Sequence, residues 1–403
     1  MNPSASWHSW ILHECAQIDT DGQWRTIRPF DAAGPAGILY PGAGADPLPV
    51  VSYAGNDYLG LSQHPAAAAA AVDAIERWGT GSGASRLVVG SRPIHHDLET
   101  ALAEWKGAER ALLFPTGFAA NLGLLSTFGH GGAHIHSDAW NHASIIDGCR
   151  LARARTTVFP HADLASLAHA LATDRANHVA SIVVTDAVFS MDGDVAPLQA
   201  LGELCAEAGA LLIVDEAHDV FHHADLLTAI DHLEVVRMGT LSKTLGSVGG
   251  FVAGSGAAID LLINRARPFI FTTALPPADA AAALAALQVE GSAEGAHLRS
   301  HLRSLVDQLR PGHPTPILPV VLGSEEAAID AAAQLLAAGA LVPAIRPPTV
   351  PPGTSRLRIA LSAAHTTEQV AHLAVLLDPW THHSPITNAS ANASLLPDST
   401  GST

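Results

Sequence analysis

The sequence predicts an α/β protein with a mostly parallel sheet covered by helices, followed by a smaller α+β domain. Between about residues 56 and 251, short apolar runs alternate with amphipathic stretches such as LQALGELCAEAGA. Strands separated by helices in this way pair in parallel, and the helices then cover both faces of the sheet. Beyond residue 314 the pattern changes to a strand, an Ala-rich helix and a Pro-rich segment, which indicates the second domain.

The predicted elements of the large domain follow in chain order. Six alanines after Pro65 run into VDAIERW, and proline is favoured in the first turn of a helix, so this segment predicts a helix. The helix DLETALAEWKGAE comes next. Five apolar runs then predict the strands of the sheet, at residues 111–114, 133–136, 181–185, 211–215 and 234–238.

The remaining elements divide the chain into four parts. Residues 276–310 predict helices that leave the large domain, and ILPVVLG predicts a strand of the smaller one. We expect an N-terminal arm at 1–55 that packs with the small domain, a large domain at 56–295 and a small C-terminal domain at 296–380. The polar tail at 381–403 has no apolar period, which predicts disorder.

Composition excludes several classes of protein. Of 403 residues, 48% are hydrophobic and 15% are charged, a composition typical of globular proteins. A formal net charge of −17 without any run of Lys or Arg argues against a nucleic-acid partner. Neither a membrane span nor a secretory signal is recognisable. Cys15, Cys149 and Cys205 form neither a zinc motif nor a disulfide framework, so we expect a reduced, cytoplasmic enzyme.

Lysine is scarce in this chain. Of 21 basic residues, only Lys106 and Lys243 are lysines. Lys106 lies at the polar end of an amphipathic helix, where we expect it to be solvated. Lys243 lies among hydroxyls and glycines in GTLSKTLGSVGG, directly after an apolar run, and this setting favours a chemical role.

Asp215 and Lys243 follow successive predicted strands. Ligands of such folds bind beyond the carboxyl ends of the strands, so both side chains face one crevice. A lysine and an aspartate are the groups that hold pyridoxal 5′-phosphate (PLP), because the amine forms a Schiff base and the acid keeps the pyridine nitrogen protonated. A helicase-type interpretation of VDEAH needs an upstream GxxxxGK[ST] loop, and neither lysine lies in one.

The phosphate of such a cofactor needs a helix N-terminus with a small residue. In PTGFAANLGLL, Gly117 and Phe118 open a predicted helix directly after the strand at 111–114. This helix start is therefore the predicted phosphate site.

Nine segments, spread from about residue 24 to about residue 376, share one resemblance. They are NDYLGLS (56–62), GTGSGASRLVVG (79–90), FPTGFAANLG (114–123), NHASIIDG (141–148), TDAVFSMDGDVAPL (185–198), VDEAH (214–218), GTLSKTLGSVGG (239–250), FTTALPPA (271–278) and RPPTVPPGTSRLR (346–358). In this order they resemble the α-oxoamine synthase family of fold-type-I PLP enzymes. The resemblance implies a fold-type-I transferase, PLP as cofactor and a homodimer with shared active sites.

The resemblance also implies roles for residues around the cofactor. Lys243 would hold the Schiff base and transfer the proton, Asp215 would pair with the pyridine nitrogen, and His142 would stack on the ring and touch the substrate carboxylate. The other cofactor contacts would be Ser190 and His218 at the phenolic oxygen, Gly117, Phe118, Thr240 and Ser242 at the phosphate, and Thr272 or Thr273 at the phosphate of the neighbouring subunit.

Four residues are implied in substrate binding. Asn56 and Arg346 would bind the amino-acid carboxylate, and Thr349 would lie close to it. Arg25, in QWRTIRP, is the best match to the arginine that the family associates with the acyl substrate.

The implied reaction is a decarboxylative condensation of a small L-amino acid with an acyl thioester, which releases CoA and CO2. The segment RPPTVPPGTSRLR favours L-alanine with pimeloyl-CoA or a pimeloyl carrier protein, a step of biotin synthesis. Two departures leave other amino-acid and acyl-CoA pairs of secondary metabolism open: DVFHH replaces the usual glycine-rich loop after VDEAH, and the region around Arg25 is irregular. A fold-type-I aminotransferase and a non-catalytic binding protein on this fold are the further alternatives.

A histidine-rich segment, HGGAHIH at 130–136, raises the question of a metal site. No cluster of acids or cysteines accompanies it in the sequence. We therefore expect no metal.

Overall fold

Three sheets and the helices around them organise the part of the chain that the computed structural model describes, residues 6–42 and 44–381. The predicted disordered tail lies outside these residues, apart from its first residue. Within the described ranges, no helix combines the length and the apolar character needed to cross a membrane.

The N-terminal arm contributes a helix and three strands, α1 (Trp7–Thr20), β1 (Phe30–Ala32), β2 (Ala36–Leu39) and β3 (Leu48–Ser52). The three strands pair antiparallel in order, and β3 also pairs in parallel with residues 340–341 near the C-terminus. The arm is thus tied to the C-terminal part of the chain by main-chain hydrogen bonds. Two helices follow it, α2 (Pro65–Trp78) and α3 (Pro93–Trp105).

The central sheet has seven strands with helices between them. In chain order the elements are β4 (Arg110–Phe114), α4 (Gly117–Phe128), β5 (Ala133–Asp138), α5 (Ala143–Leu151), β6 (Arg155–Phe159), α6 (Leu164–Ala176), β7 (Ala180–Asp186), α7 (Leu198–Ala208), β8 (Leu211–Asp215), β9 (Val235–Thr240) and β10 (Gly250–Gly254). The order across the sheet is β4-β10-β9-β8-β7-β5-β6. Strands β9, β8, β7, β5 and β6 are parallel, so the carboxyl ends of β8 and β9 lie at one edge.

Two strands of this sheet are absent from the sequence-based prediction. Strand β6 has the sequence RTTVF and strand β10 the sequence GFVAG, so neither forms a clear apolar run. Strand β10 is the one antiparallel member, and it pairs with both β9 and β4. Gly250 makes that pairing possible, because a Cβ there would lie only 2.6 Å from the backbone nitrogen of Gly117.

Four helices lead from this sheet to the C-terminal part: α8 (Gly256–Arg265), α9 (Arg267–Ile270), α10 (Pro277–Glu290) and α11 (Ala293–Leu309). The predicted domain boundary at 295/296 falls inside α11. Helix α10 ends at Glu290, and the Ser292 side chain caps α11 by accepting from the amides of Glu294 and Gly295. The division of the chain into domains stays a prediction.

The C-terminal part contains a three-stranded antiparallel sheet. Its elements are β11 (Ile317–Gly323), α12 (Glu325–Ala337), β12 (Ala340–Leu341), β13 (Ala344–Ile345), β14 (Ser355–Ala360) and α13 (Thr367–Thr381). The sheet order is β11-β14-β13, while β12 joins the strands of the arm. Strand β14 is buried along its whole length.

The hydrophobic core lies on both faces of the central sheet. Leu212, Ile213 and Val214 of β8 are fully buried, and they alternate between the two faces. Burying each such side chain contributes on the order of 2 kcal/mol. This packing fixes the ends of β8 and β9, where the candidate site lies.

Candidate active site

The carboxyl ends of β8 and β9 bring Asp215 and Lys243 to one edge of the sheet. Asp215 is the last residue of β8 and is 3% exposed. Its register partner on β9 is Met238, and Lys243 follows that strand three residues after its end at Thr240. The Asp215 carboxylate is close enough to Lys243 to act on the pKa of the amine.

The Lys243 amine lies in a largely desolvated setting. Burial is the largest influence and lowers the pKa of Lys243 to about 8, although Asp215 and Asp186 act to raise it. Arg358 lowers the same pKa further. The Nζ atom lies 2.8 Å from His218 Nε2. A lysine in this state gives up its proton near pH 8, well below the usual range of a lysine, as a nucleophile or base requires.

The Asp215 carboxylate is held by neutral donors. Asn121 Nδ2 donates to Asp215 Oδ2 at 2.8 Å, and the amide of Ala217 donates to Oδ1 at 2.9 Å. Among the described residues, no cation lies within ion-pair distance of this carboxylate. Its charge is therefore available to a protonated group that enters the crevice.

His142 lies at the start of α5, on the same edge. Its Nδ1 atom accepts a hydrogen bond from the Ser144 amide, and its own amide donates to Asp186 Oδ2. The Phe118 ring lies 6.5 Å away, nearly perpendicular. Burial lowers the pKa of His142 and Lys243 adds to this effect, while Asp215 opposes it. The imidazole is thus neutral at physiological pH.

The N-terminus of α4 forms a small, open cradle. Gly117 and Phe118 are its first residues, and Thr116 caps it by accepting from the Ala119 amide. A Cβ on Gly117 would lie 3.5 Å from Thr240 Cβ, so the glycine leaves the space before the helix open. The hydroxyls of Thr240 and Ser242, which lie 2.8 Å apart, line the same space. Amides and hydroxyls at a helix N-terminus bind anions.

Arg358, which the sequence analysis missed, joins Asn56 and Ser190 to this site. Its Nη2 atom donates to Asn56 Oδ1 at 3.2 Å and its Nε atom to the Ser190 carbonyl. Arg358 is 5% exposed, and no carboxylate of the described residues lies within ion-pair distance of it. A buried guanidinium without an acid partner favours an anionic ligand.

One signal in the sequence could have indicated Arg358. In SRLRIA the two arginines alternate with apolar residues, so both lie on one face of β14. Arg356 of that face is paired with Asp192, whereas Arg358 is not paired with an acid. An arginine on a buried strand needs a partner for its charge. A buried arginine without an acid partner therefore indicates a ligand-binding site.

Arg25, Arg346 and Thr349 lie in a separate region of the structure. They line a cavity of about 740 Å³ between the arm and the segment that contains cis Pro348. Arg346 donates to the carbonyl of Gly22. None of the described contacts joins these three residues to Lys243, so their predicted roles at the substrate stay predictions.

Thr272 and Thr273 are exposed, and they line a small cleft with Arg86 and Phe269. Thr273 also forms an isolated bridge with Ser85. Neither threonine is joined to the Lys243 site by a contact of the described residues, so their predicted role at the neighbouring subunit stays a prediction.

A group of possible metal ligands does exist away from this edge. His134 and His136 of β5 meet Asp174 of α6, an acid that the sequence-based argument did not connect with them. His136 Nε2 lies 2.7 Å from Asp174 Oδ2 and His134 Nδ1 lies 2.8 Å from the same atom. Together with the Ser181 hydroxyl, which also donates to Asp174 Oδ2, these hydrogen bonds satisfy the buried carboxylate, and the expectation of no metal stays a prediction.

The prediction that Lys106 is solvated is wrong. Lys106 is 3% exposed, its Nζ lies 2.7 Å from Glu216 Oε2, and it lies 3.7 Å from the centre of the Trp105 ring. Arg237 pairs with the same carboxylate. The helix end packs against the sheet, and the buried Glu216 carboxylate compensates the charge of Lys106. The position of Lys106 at the polar end of a helix does not reveal this partner.

The unusual segment after VDEAH folds around one carboxylate. Asp219 accepts hydrogen bonds from the amides of His223 and Ala224 and from His223 Nδ1. His222 adopts a left-handed conformation with φ of 61° and lies 2.9 Å from Glu290 Oε1. The segment is thus a tight turn anchored on charged groups.

Comparisons with known proteins identify the family of this chain. Residues 49–377 match the family model described as aminotransferase class I and II. An 8-amino-7-oxononanoate synthase of Anaeromyxobacter dehalogenans is 47% identical over 379 residues, which cover 90% of this chain and 92% of that protein.

Two solved structures share the fold. A serine palmitoyltransferase of S. paucimobilis with PLP and myriocin bound superposes with a TM-score of 0.82 at 28% identity, over 93% of this chain and 97% of that one. An 8-amino-7-oxononanoate synthase of Francisella tularensis gives a TM-score of 0.68 at 26% identity, over 82% of this chain and 97% of that one.

Proposed function

Because the chain belongs to the class I and II aminotransferase family and, within it, to the 8-amino-7-oxononanoate synthases, we propose that it condenses L-alanine with a pimeloyl thioester. The products are 8-amino-7-oxononanoate, CO2 and CoA or the free carrier protein. The enzyme is a PLP-dependent acyltransferase of the biotin pathway. The observation that carries this proposal is the pair of Lys243 and Asp215 at the ends of adjacent parallel strands.

The residues present at this edge fit PLP. Asp215 is a buried carboxylate that no cationic side chain of residues 6–42 and 44–381 pairs with at ion-pair distance, which suits the protonated pyridine nitrogen. The space in front of Gly117, bounded by the Thr240 hydroxyl, suits the phosphate. Lys243 supplies the only amine of the site. When bound, PLP accepts into its ring the electron pair left at the amino-acid α-carbon.

Lys243 is the residue that we assign to proton transfer. Its lowered pKa makes Nζ neutral in a substantial fraction of molecules near pH 8, so Nζ can take the α-proton. Asp215, held in place by Asn121, keeps the opposite side of the site negative. His142 is neutral and presents its ring at the mouth of the site, where it can stack on a flat ligand.

The amino-acid carboxylate has a natural partner in Arg358. The guanidinium is buried, lacks an acid partner among the described residues and lies beside Asn56, which the sequence analysis assigned to the same carboxylate. We propose that Arg358 and Asn56 bind it together. Arg346 and Thr349 line the cavity between the arm and the C-terminal part, and their role at the amino-acid carboxylate stays a prediction.

The cavity between the arm and the C-terminal part is the proposed acyl site. Arg25 lies in its wall and provides a positive charge for the far carboxylate of a pimeloyl chain, while Ile18 and Trp24 provide apolar surface. A pimeloyl chain needs both the positive charge and the apolar surface, because it is an apolar chain that ends in a carboxylate.

We further propose a homodimer in the cytoplasm. Thr272 and Thr273 lie next to exposed apolar side chains, namely Leu87, Val88, Val89 and Phe271, of which Val88 is 73% exposed. A partner that covers this surface would bring the threonines to its own site. The described cysteines are all free, which suits a reducing compartment.

A matrix of substrates tests the proposed function. Purified enzyme with PLP is given glycine, L-alanine or L-serine against pimeloyl-CoA, heptanoyl-CoA or palmitoyl-CoA, and CO2 and CoA are measured together. L-alanine with pimeloyl-CoA is expected to give the highest kcat/KM. Condensation of another pair would indicate a different synthase, in agreement with the altered segment at residues 219–223, and amino transfer without CO2 release would refute the proposal.

A further inference from the structure

Three side chains, two of them fully or almost fully buried, form a hydrogen-bonded chain that ends on the Lys243 amine. His218 Nε2 lies 2.8 Å from Lys243 Nζ, and His218 Nδ1 lies 2.6 Å from the Tyr58 hydroxyl. The same hydroxyl lies 3.3 Å from Asn56 Oδ1. Tyr58 and His218 are buried, at 0% and 5% exposure. Tyr58 is therefore joined to the Lys243 site by hydrogen bonds.

The polar atoms of this hydrogen-bonded series all have partners when the Lys243 amine is neutral. A neutral imidazole carries one proton, and a neutral amine can accept it as a hydrogen bond from Nε2. Nδ1 is then an acceptor, and the Tyr58 hydroxyl donates to it. Each polar atom between Tyr58 and Lys243 has a partner in this arrangement.

The polar atoms of this hydrogen-bonded series also all have partners when the amine is protonated, and every hydrogen bond then runs in the opposite direction. An ammonium group has no lone pair, so Lys243 donates to His218 Nε2. The imidazole proton then lies on Nδ1 and is donated to the Tyr58 oxygen. The hydroxyl proton of Tyr58 turns to Asn56 Oδ1, which is within reach.

We propose that Tyr58 is a positioning residue that lets His218 serve as partner to both protonation states of the Lys243 amine, because its hydroxyl can either donate to Nδ1 or accept from it. This inference rests on the proposed function insofar as that amine is assigned to proton transfer. It concerns only residues of this chain, so it can be tested without the reaction.

The surroundings of His218 support this assignment. Burial lowers the pKa of His218 well below its usual value, and the positive charges of Lys243 and Arg358 act in the same direction. Asp215 and Asp186 act on Lys243 in the opposite sense and raise its pKa. His218 therefore stays neutral and changes its tautomer instead of its charge. Arg358 has only donors to offer, so a hydroxyl is the group that can follow this change.

The effect of Tyr58→Phe has a definite sign. With a neutral amine, the variant leaves Nδ1 as an unpaired buried acceptor, whereas with an ammonium it leaves a buried N–H without a partner. An unpaired buried N–H is the costlier of the two. The substitution thus penalises the protonated amine, and we expect the pKa of Lys243 to fall by roughly one unit.

The experiment uses the full-length chain freed of cofactor. Trinitrobenzenesulfonate labels the neutral amine at a series of pH values, and mass spectrometry quantifies the peptide that contains Lys243. Tyr53→Phe is the matched control, because Tyr53 is also buried but its hydroxyl donates to the Gln369 carbonyl, away from His218. The labelling midpoint should fall by about one pH unit in Y58F and stay in Y53F. An unchanged or raised midpoint in Y58F, or an equal fall in Y53F, would overturn the proposal.

A second measurement needs no Tyr58 variant. In wild-type chain with ¹⁵N-labelled histidine, the His218 signals are identified by their loss in His218→Asn. As the pH rises through the Lys243 labelling midpoint, the His218 proton should move from Nδ1 to Nε2. One tautomer at all pH values would contradict the inference. Failure of the substrate matrix would refute the proposed function without altering either result.

Discussion

Asn121 Nδ2 donates a 2.8 Å hydrogen bond to Asp215 Oδ2, so helix α4 holds the carboxylate at the end of β8. The same helix carries Gly117 at its N-terminus, in the proposed phosphate cradle. One rigid element thus links the two ends of the proposed PLP site. Asn121 also donates to the Ser144 hydroxyl, beside His142 at the start of α5.

Asn121→Ala is expected to weaken cofactor binding. The variant removes one hydrogen bond to a buried carboxylate, which corresponds to roughly a tenfold rise in the Kd of PLP. Titration of the cofactor-free chain with PLP, followed by absorbance, measures this change. Asn264→Ala is the control, because Asn264 is exposed and donates only to the Asp260 carbonyl in its own helix. Equal Kd values for N121A and wild type would show that Asp215 does not need this support.

Arg358→Met is expected to weaken the binding of the amino acid and to leave the binding of the acyl thioester nearly unchanged. Loss of a charged partner for a carboxylate raises the KM of L-alanine by roughly 10- to 100-fold. The KM of the acyl donor, measured in the same assay at saturating alanine, should change little. A variant with normal KM for alanine would remove Arg358 from the proposed carboxylate site.

Arg25→Gln tests the proposed acyl cavity. Pimeloyl-CoA and heptanoyl-CoA have the same chain length and differ in the terminal carboxylate. We expect the variant to lose about tenfold or more in kcat/KM with pimeloyl-CoA and to keep its value with heptanoyl-CoA. Equal losses with both donors would indicate that Arg25 is structural.

His161 predicts a pH-dependent contribution to stability. Burial opposes its charge, but hydrogen bonds to Asp138 and Asp194 outweigh burial and raise the pKa of His161 to about 9. The folded state therefore binds this proton more tightly than the unfolded state, and the contribution is complete below about pH 6.5 and lost as the pH rises through about 9.

His161→Gln measures that contribution. The free energy of unfolding of the variant, from urea titration, should fall furthest below wild type at pH 6, and the gap should narrow by pH 9. The exposed His297→Gln serves as control. A gap that does not depend on pH would mean that His161 is neutral in the folded protein.

The sequence predicts the part of the site that follows directly from strand ends. Asp215 and Lys243 come together because parallel strands end at one edge, and Gly117 follows from the same rule. Arg358 meets Asn56 only through packing of β14 against a distant segment, so no local pattern contains this contact. The burial of Lys106 does not follow from its local sequence, because its partner, Glu216, lies more than a hundred residues away.

Borohydride reduction of the PLP-loaded enzyme tests the central claim most directly. With only two lysines in the chain, peptide mapping can assign the label without ambiguity. We predict that the reduced cofactor is found on the peptide containing Lys243, that Lys106→Met is still labelled there, and that Lys243→Ala takes up no label. A label on Lys106, or none in wild type, would contradict the account.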